Sequence, residues 1–267
     1  MTDRGPRPLP VTAADHGDRP ADDVRRAQVA TGLREVQARI ARACAKSGRD
    51  PEGVTLVAVT KTFPAADVRL LADLGVRDIG ESRDQEAREK SVACADLHLR
   101  WHFVGQLQTN KARSVASYAS VVHSVDRPEL VRALDRALRR AHEQALGRTG
   151  QDARRADQLL RCLVQVRLDD RPGRGGANIA EVPDLTDEIA ASPMLELAGV
   201  MAVAPLDAPA GPAFARLAEV AAGVRSRHAD ATWMSAGMSD DLEAAVAAGA
   251  THVRIGRGLL GVRPSSR

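Results

Sequence analysis

The chain has 267 residues, of which 44% are hydrophobic and 27% charged, so it can bury the core of one large α/β domain or of two small ones. Aromatic residues make up only 2%, which argues against a stacking platform for single-stranded nucleic acid. The net charge of +3 comes from 38 basic and 35 acidic residues without a long basic block, so we expect a solvated surface and no specific nucleic-acid groove.

The beginning of the chain predicts a disordered tail. Residues 1–22 are rich in Pro, Gly, Asp and Arg and lack the apolar region of a secretory signal. We expect residues 23–267 to form a single domain, and no apolar stretch is long enough to span a bilayer. Three widely spaced cysteines without a C-x-x-C pair favour reduced thiols in a cytoplasmic protein over a disulfide framework or a zinc site: Cys44, Cys94 and Cys162.

The rest of the chain alternates short apolar runs with helical patterns. Apolar residues at helical spacing first predict an amphipathic helix over residues 24–44. The strand candidates that follow are VTLVAVT, RDIG, WHFVG, SVVHSV, LLRCLVQVRL, LELAGVMAV, TWMSA and HVRIGRGLLG, the last ending at Gly261. The helices predicted between them span residues 65–74, 84–95, 109–116, 127–146, 180–191, 213–225 and 240–248, with a polar loop over 147–157.

This alternation predicts the fold. Strands separated by helices form a parallel sheet. Eight such units in one domain fit a closed (β/α)₈ barrel of the TIM type, preceded by the first helix, better than an open sheet. The alternative, an open doubly wound sheet that binds a dinucleotide, lacks support because no G-x-G-x-x-G follows the first strand.

Lys61 directly follows the first strand candidate, VTLVAVT. Functional residues of such barrels lie at the carboxyl ends of the strands, so this lysine is placed to act as a nucleophile or to form a Schiff base. The alternative is an ordinary lysine that ends a strand in water.

Two further loops at the same end carry Gly and Ser. The seventh strand leads into Ser235–Ser239, which includes Gly237, and the eighth into Arg254–Gly258. Backbone N–H groups and a hydroxyl there can bind phosphate, although glycines at these positions can also serve close packing. Ser239 precedes two aspartates and is interpreted as a helix N-cap, so we expect the phosphate towards Ser235 and Gly256.

Arg254 alternates with apolar strand residues, and an arginine is costly to bury without a partner. Because helices cover the outer faces of barrel strands, exposure on the outside is a poor explanation. A ligand contact at the barrel mouth is the better one.

The motifs carry a family resemblance. VTLVAVTKTFPAADVRLLADLGVRDIGES, WHFVGQLQTNK, LAGVMAV and MSAGMSDDLEAAVAAGATHVRIGRGLLG resemble the pyridoxal 5′-phosphate (PLP) homeostasis proteins, the YggS/PROSC family, over residues 24–261. The resemblance implies a fold-type III PLP protein built like the N-terminal barrel of alanine racemase. It implies PLP held on Lys61, a ring nitrogen facing Arg254, and phosphate contacts at Ser235, Gly256 and Arg257. An arginine can donate to that nitrogen but cannot receive its proton, which suits holding the cofactor more than driving carbanion chemistry.

The sequence departs from the family pattern at two positions. Ser82 replaces the asparagine of the usual G-E-N, and Arg257 replaces the usual Thr or Ser after R-I-G. The lost hydroxyl at position 257 can weaken phosphate binding, or the guanidinium can strengthen it. His102 also matches a family motif and either lines the mouth near PLP or is a hydrogen-bonded structural histidine. Other motif matches, Asn110, Lys111 and the loop 171–176, are interpreted as surface features.

The resemblance predicts a PLP-binding protein of intracellular PLP homeostasis that stores, buffers or delivers the cofactor without robust catalysis. Apo PLP-dependent enzymes are the expected recipients, and we expect a monomer without membrane or specific nucleic-acid partners. The alternative is an amino-acid racemase of the alanine-racemase type. That reaction requires a second base, normally a tyrosine from a separate β domain, whereas the sequence has one tyrosine, Tyr118, and ends six residues past Gly261.

Overall fold

Apolar runs and helical patterns become strands and helices in strict alternation. The computed structural model describes residues 19–145, 159–169 and 175–261. Outside these ranges lie residues 1–18 of the predicted tail, the predicted loop at 147–157, and residues 171–174 of the loop that follows the fifth strand. Within the described ranges, no helix is both long and apolar enough to cross a membrane.

The strands and helices have the following bounds. The strands are β1 (Thr55–Val59), β2 (Asp78–Glu81), β3 (Arg100–Phe103), β4 (Val121–Val125), β5 (Leu160–Gln165), β6 (Leu195–Met201), β7 (Trp233–Ser235) and β8 (His252–Ile255). The helices are α1 (Arg19–Lys46), α2 (Ala65–Asp73), α3 (Asp84–Ala93), α4 (Ala112–Ala116), α5 (Pro128–Ala145), α6 (Val182–Ala191), α7 (Ala210–Arg227), α8 (Leu242–Ala247) and α9 (Arg257–Leu260).

The strands pair in parallel and in chain order, and the last pairs with the first. Ala58 in β1 lies opposite Ile79 in β2 on one side and opposite Ile255 in β8 on the other. The sheet therefore closes into a barrel in the order β1 to β8. The prediction of a (β/α)₈ barrel is confirmed.

The last apolar run differs from its prediction. HVRIGRGLLG was expected to be one strand ending at Gly261, but β8 stops at Ile255 and residues 257–260 form the short helix α9. This turn packs on α1, and Leu259 and Leu260 are buried. A side chain on Gly32 of α1 would come within 2.4 Å of the Leu259 carbonyl oxygen, so only glycine allows this approach. Helix α1 itself begins at Arg19, earlier than the predicted residue 24.

The interior of this barrel is more polar than is usual for the fold. Branched apolar side chains dominate the interiors of most such barrels. A large apolar cluster fills the space between strands and helices. A small one inside the barrel contains only four buried residues, Val121, Leu163, Ala198 and Met201. Histidine, serine and arginine side chains occupy other buried positions on the strands: His102, His123, Ser235, His252 and Arg254. One of these polar residues, Arg254, belongs to the candidate functional site.

Candidate functional site

A cavity of about 620 Å³ opens at the carboxyl ends of the strands. Its wall comes from residues at or just after the ends of β1, β2, β3, β6, β7 and β8, the end at which such barrels hold their active sites. The cavity brings together five of the residues selected from the sequence: Lys61, Ser82, Arg254, Gly256 and Arg257. Lys61 is exposed, so its amine can be reached from this cavity without opening the fold.

Hydrogen bonds from neighbouring elements hold the backbone on both sides of Lys61. Thr62 has a left-handed conformation with φ of 70°, which is uncommon for a residue other than glycine. Its N–H donates to Glu86 Oε1 at 2.5 Å. On the other side of Lys61, the Thr60 carbonyl accepts from Lys90 Nζ at 2.7 Å, and the Thr60 hydroxyl lies 2.6 Å from Glu81 Oε1. The turn that carries Lys61 is therefore tied to β2 and α3.

A buried ionic cluster supplies these contacts. Lys90 Nζ lies 2.7 Å from Glu81 Oε1 and 2.6 Å from Glu86 Oε1, and Lys90 and Glu81 are both buried. Burial raises the pKa of the Glu81 carboxyl, while hydrogen bonds from Lys90 and Thr60 oppose that shift. None of these residues was selected from the sequence. The spacing of Glu86 and Lys90 by four positions on a helix was the available signal.

Arg254 is a buried cation at the base of the cavity. Its Nη1 donates to Ser235 Oγ at 2.6 Å and its Nη2 to the Ala202 carbonyl at 2.8 Å. The described residues give it no salt-bridge partner. Burial lowers the pKa of the Arg254 guanidinium to about 10, so it keeps its charge at neutral pH. A buried guanidinium that borders a cavity is suited to bind a polar ligand there.

Ser235, which the resemblance implies as a phosphate contact, is not part of the cavity wall. The side chain is fully buried, and its hydroxyl is committed to Arg254 and to His123 Nδ1, which lies 3.0 Å away. Strands β4 and β7 are not neighbours, so this contact crosses the barrel interior below the cavity. The Ser235 hydroxyl therefore holds the Arg254 guanidinium from within the barrel.

The interpretation of Ser239 as a helix N-cap is wrong. Helix α8 begins at Leu242, and Asp241, which occupies the cap position, accepts at 2.5 Å from the N–H of Met238. Ser239 instead lines the cavity, and its Oγ accepts from the N–H of Gly258 at 3.2 Å. The hydroxyl thus joins the loops after β7 and β8 on the wall that also contains Gly256.

Arg257 and Gly237 occupy different environments. Arg257 is exposed at the cavity rim and pairs with the equally exposed Asp240 at 2.7 Å, a contact of small energetic value in water. Gly237 is buried with φ of 93°, and its carbonyl accepts from the N–H of Arg254. A Cβ at Gly237 would lie 2.6 Å from the Ala245 Cβ, so this glycine serves backbone packing and is not part of the cavity wall.

His102 lies inside the barrel and does not line the cavity. Its Nδ1 is 2.8 Å from His123 Nε2, and its Nε2 is 2.9 Å from Asp78 Oδ1. Of the two interpretations, the structure therefore agrees with the hydrogen-bonded histidine. Asn110 and Lys111 lie exposed in a short 3₁₀ turn after β3, as expected for surface residues.

Residues 32–264 match the protein family described as "Alanine racemase, N-terminal domain". The match covers most of the chain and defines its class as a barrel of that family. Alanine racemase from Corynebacterium glutamicum shares the fold with a TM-score of 0.63 over 91% of this chain and 64% of the enzyme. The sequences are only 13% identical, so this likeness concerns the fold alone.

Closer relatives identify the branch. A pyridoxal phosphate homeostasis protein of Mycobacterium leprae is 40% identical over 250 residues, which cover 89% of this chain and 93% of the relative. PipY of Synechococcus elongatus, whose structure was solved with PLP bound, has a TM-score of 0.69 and 32% identity over 88% of this chain and all of PipY. This chain belongs to the family of pyridoxal phosphate homeostasis proteins.

Proposed function

We propose that this protein binds PLP for intracellular PLP homeostasis, and that it stores, buffers or delivers the cofactor as a Schiff base on Lys61. One observation carries the proposal. The exposed amine of Lys61 and the buried guanidinium of Arg254 line the same cavity at the carboxyl ends of the strands. A volume of about 620 Å³ lies within the range of small-molecule sites.

The cavity residues fit the chemical groups of PLP. The Lys61 amine can condense with the aldehyde, with loss of water, and Arg254 can donate a hydrogen bond to the ring nitrogen. We assign the phosphate to the wall formed by Ser239, Gly256 and Arg257, because this wall offers a hydroxyl and a cation while Ser235 is occupied below. Ser82 lines the same cavity.

The site supports retention of the cofactor more than turnover. When bound, PLP supplies an electron sink whose strength depends on protonation of its ring nitrogen. Arg254, with a pKa of about 10, stays protonated near neutral pH and donates to that nitrogen without supplying it a proton. We therefore propose a carrier without robust catalysis.

The racemase alternative needs a second base beside the cofactor. The single tyrosine of the sequence, Tyr118, is buried, and its hydroxyl lies 3.3 Å from Asp84 Oδ1. It does not line the cavity, and burial raises the pKa of its phenol. Its position supports the carrier over the racemase.

We further propose that the protein acts as a monomer in the cytoplasm and passes PLP to apo PLP-dependent enzymes. Its three cysteines are unpaired and buried, which is in keeping with a reducing compartment.

The test compares the purified wild type with Lys61→Ala and with Lys111→Ala, which changes an exposed lysine outside the cavity. With PLP, the wild type and Lys111→Ala should develop the visible absorbance of a Schiff base, and Lys61→Ala should not. A colourless wild type would contradict the proposal. Incubation with single L-amino acids and chiral analysis then tests the alternative, which substantial D-product would support.

A further inference from the structure

Four buried hydrogen bonds in series cross the barrel interior; we call this series the relay. Arg254 Nη1 lies 2.6 Å from Ser235 Oγ, which lies 3.0 Å from His123 Nδ1. His123 Nε2 lies 2.8 Å from His102 Nδ1, and His102 Nε2 lies 2.9 Å from Asp78 Oδ1. All five side chains of the relay are buried.

The donor at one end of the relay and the acceptor at the other fix the direction in which each of its hydrogen bonds is donated. A guanidinium only donates, so Ser235 Oγ accepts a hydrogen bond from Arg254, and the Ser235 hydroxyl donates one to His123 Nδ1. His123 then carries its proton on Nε2 and donates to His102 Nδ1. His102 in turn carries its proton on Nε2 and donates to the carboxylate of Asp78. Every group has the partner it needs, and both imidazoles are neutral.

The directions of the pKa shifts of these groups agree with this assignment. Burial lowers the pKa of His102, and that of His123 well below its usual value, which favours the neutral rings. Burial by itself would raise the pKa of Asp78, but hydrogen bonds from His102 and Arg100 outweigh it and hold that pKa well below its usual range. The relay therefore runs from a cation at one end to an anion at the other.

The two ends lie at opposite mouths of the barrel. Arg254 borders the cavity that contains Lys61, whereas Asp78 starts β2 and lines a separate cavity of about 440 Å³ with Arg100. Arg100 pairs with both carboxylate oxygens of Asp78, at 2.7 and 2.6 Å, and its side chain is 56% exposed. Asp78 does not line the cavity of Lys61, so it can influence a ligand there only through other residues.

We propose that Asp78 is a positioning residue for Arg254, and that it fixes the orientation and supports the charge of this guanidinium through His102, His123 and Ser235. Hydrogen bonds aligned head to tail polarise one another, so the carboxylate stabilises a distant cation that lacks a direct carboxylate partner among the described residues. The inference rests on the proposed function, in which Arg254 faces the ring of PLP.

The orientation of the relay can be measured without any cofactor. Nitrogen NMR of the imidazole rings in the PLP-free wild type should show His102 and His123 as neutral Nε2–H tautomers. In Asp78→Asn, the side-chain amide can donate as well as accept, so it no longer forces a proton onto Nε2 of His102. We expect the His102 signal to change in this variant. A wild type with either histidine as the Nδ1–H tautomer would overturn the relay.

The effect on the ligand is measured by the dissociation constant of PLP. Asp78→Asn should weaken binding about tenfold, the scale of a hydrogen bond to a charged group. Asp78→Glu should recover part of the affinity. Arg100→Gln is the matched control, since it removes the outer ion pair of Asp78 and leaves the carboxylate and the relay in place. Arg100→Gln should bind PLP within about twofold of the wild type.

A merely structural role for Asp78 predicts a different pattern. Asp78→Asn and Arg100→Gln would then lower thermal stability, and both variants would bind PLP as tightly as the wild type. This result would overturn the proposal. Where Asp78→Asn does not fold, Ser235→Ala interrupts the relay next to Arg254 and should weaken PLP binding to a similar extent, and unchanged binding would overturn the proposal. If the wild type itself does not bind PLP at Lys61, the proposed function fails, whereas the imidazole tautomers still decide whether the relay exists.

Discussion

Glu86 on helix α3 accepts a hydrogen bond from the backbone N–H of Thr62, the residue after Lys61, at 2.5 Å. Thr62 is also the one residue other than glycine with positive φ among those the structure describes. The contact explains how this conformation is maintained, because the carboxylate satisfies an N–H in a tight turn. The position of the Lys61 amine thus depends on a residue of the helix layer.

We predict that Glu86→Ala weakens PLP binding by a factor of about three to ten, the value of one intramolecular hydrogen bond. Glu86→Gln retains an acceptor for Thr62 and should bind more tightly than Glu86→Ala. Glu89→Ala, on the exposed part of the same helix, is the control and should bind as the wild type does. Equal affinity of Glu86→Ala and Glu89→Ala in a PLP titration would show that the turn does not need this support.

Lys90→Met tests the buried ionic cluster behind the same turn. The substitution leaves the carboxylates of Glu81 and Glu86 without their shared cation, and Glu81 is almost completely buried. We expect the free energy of unfolding to fall by about 3 kcal/mol, as for other buried pairs broken on one side. Urea denaturation measures this. Lys111→Met, at the surface, should leave stability unchanged, and Lys90→Met combined with Glu81→Gln should recover part of the loss.

The buried histidines predict a stability that falls in mild acid. Burial lowers the pKa of His102 and His123, and that of His252 from 6.5 to about 3. Below about pH 6.5 the unfolded chain therefore binds more protons than the folded protein. The free energy of unfolding should then decrease steadily as the pH is lowered below that value. Each such histidine contributes up to about 1.4 kcal/mol per pH unit.

Denaturation curves between pH 7 and pH 5 measure this slope. His252→Asn should reduce the slope by about one proton, because it removes one of the buried imidazoles. A free energy of unfolding that stays constant from pH 7 to pH 5 would contradict the neutral state of these rings in the folded protein.

Ser239→Ala tests the assignment of the phosphate wall. Its hydroxyl lines the cavity beside Gly256, so its loss should weaken PLP binding about tenfold, the scale of a hydrogen bond to a charged group. Pyridoxal lacks the phosphate, and its affinity should stay the same. Ser226→Ala, which changes an exposed serine on α7, is the matched control. Equal losses for PLP and pyridoxal would place the phosphate elsewhere.

The sequence predicted the barrel because its elements carry local signals. Alternating apolar runs and helical patterns define eight βα units, and a lysine after the first strand falls at the functional end of the barrel. Arg254 could be selected for a similar reason, since a charged side chain within an apolar strand demands a partner. These inferences use residues that are close together in the sequence.

The surroundings of Ser235 and Ser239 depend on contacts between distant parts of the chain. Ser235 and Ser239 are both small hydroxyl residues and are four positions apart, the first at the end of β7 and the second in the loop that follows. Only the contact of Ser235 with His123 across the barrel, and of Ser239 with Gly258 of the next loop, separates their roles. The partnership of Asp78 with His102 likewise joins two strands and has no signature in the local pattern. Gly256, which separates β8 from α9, could be read equally well as part of a continuing strand.

Borohydride reduction followed by peptide mapping tests the central claim most directly. The sequence contains four lysines, Lys46, Lys61, Lys90 and Lys111, so the modified position can be assigned without ambiguity. Lys90 is buried in its ionic cluster, and Lys61 lines the cavity that contains Arg254. We predict that the reduced PLP adduct is found on the peptide containing Lys61 and is lost in Lys61→Ala. An adduct spread over the exposed Lys46 and Lys111, or one that persists in Lys61→Ala, would contradict the account.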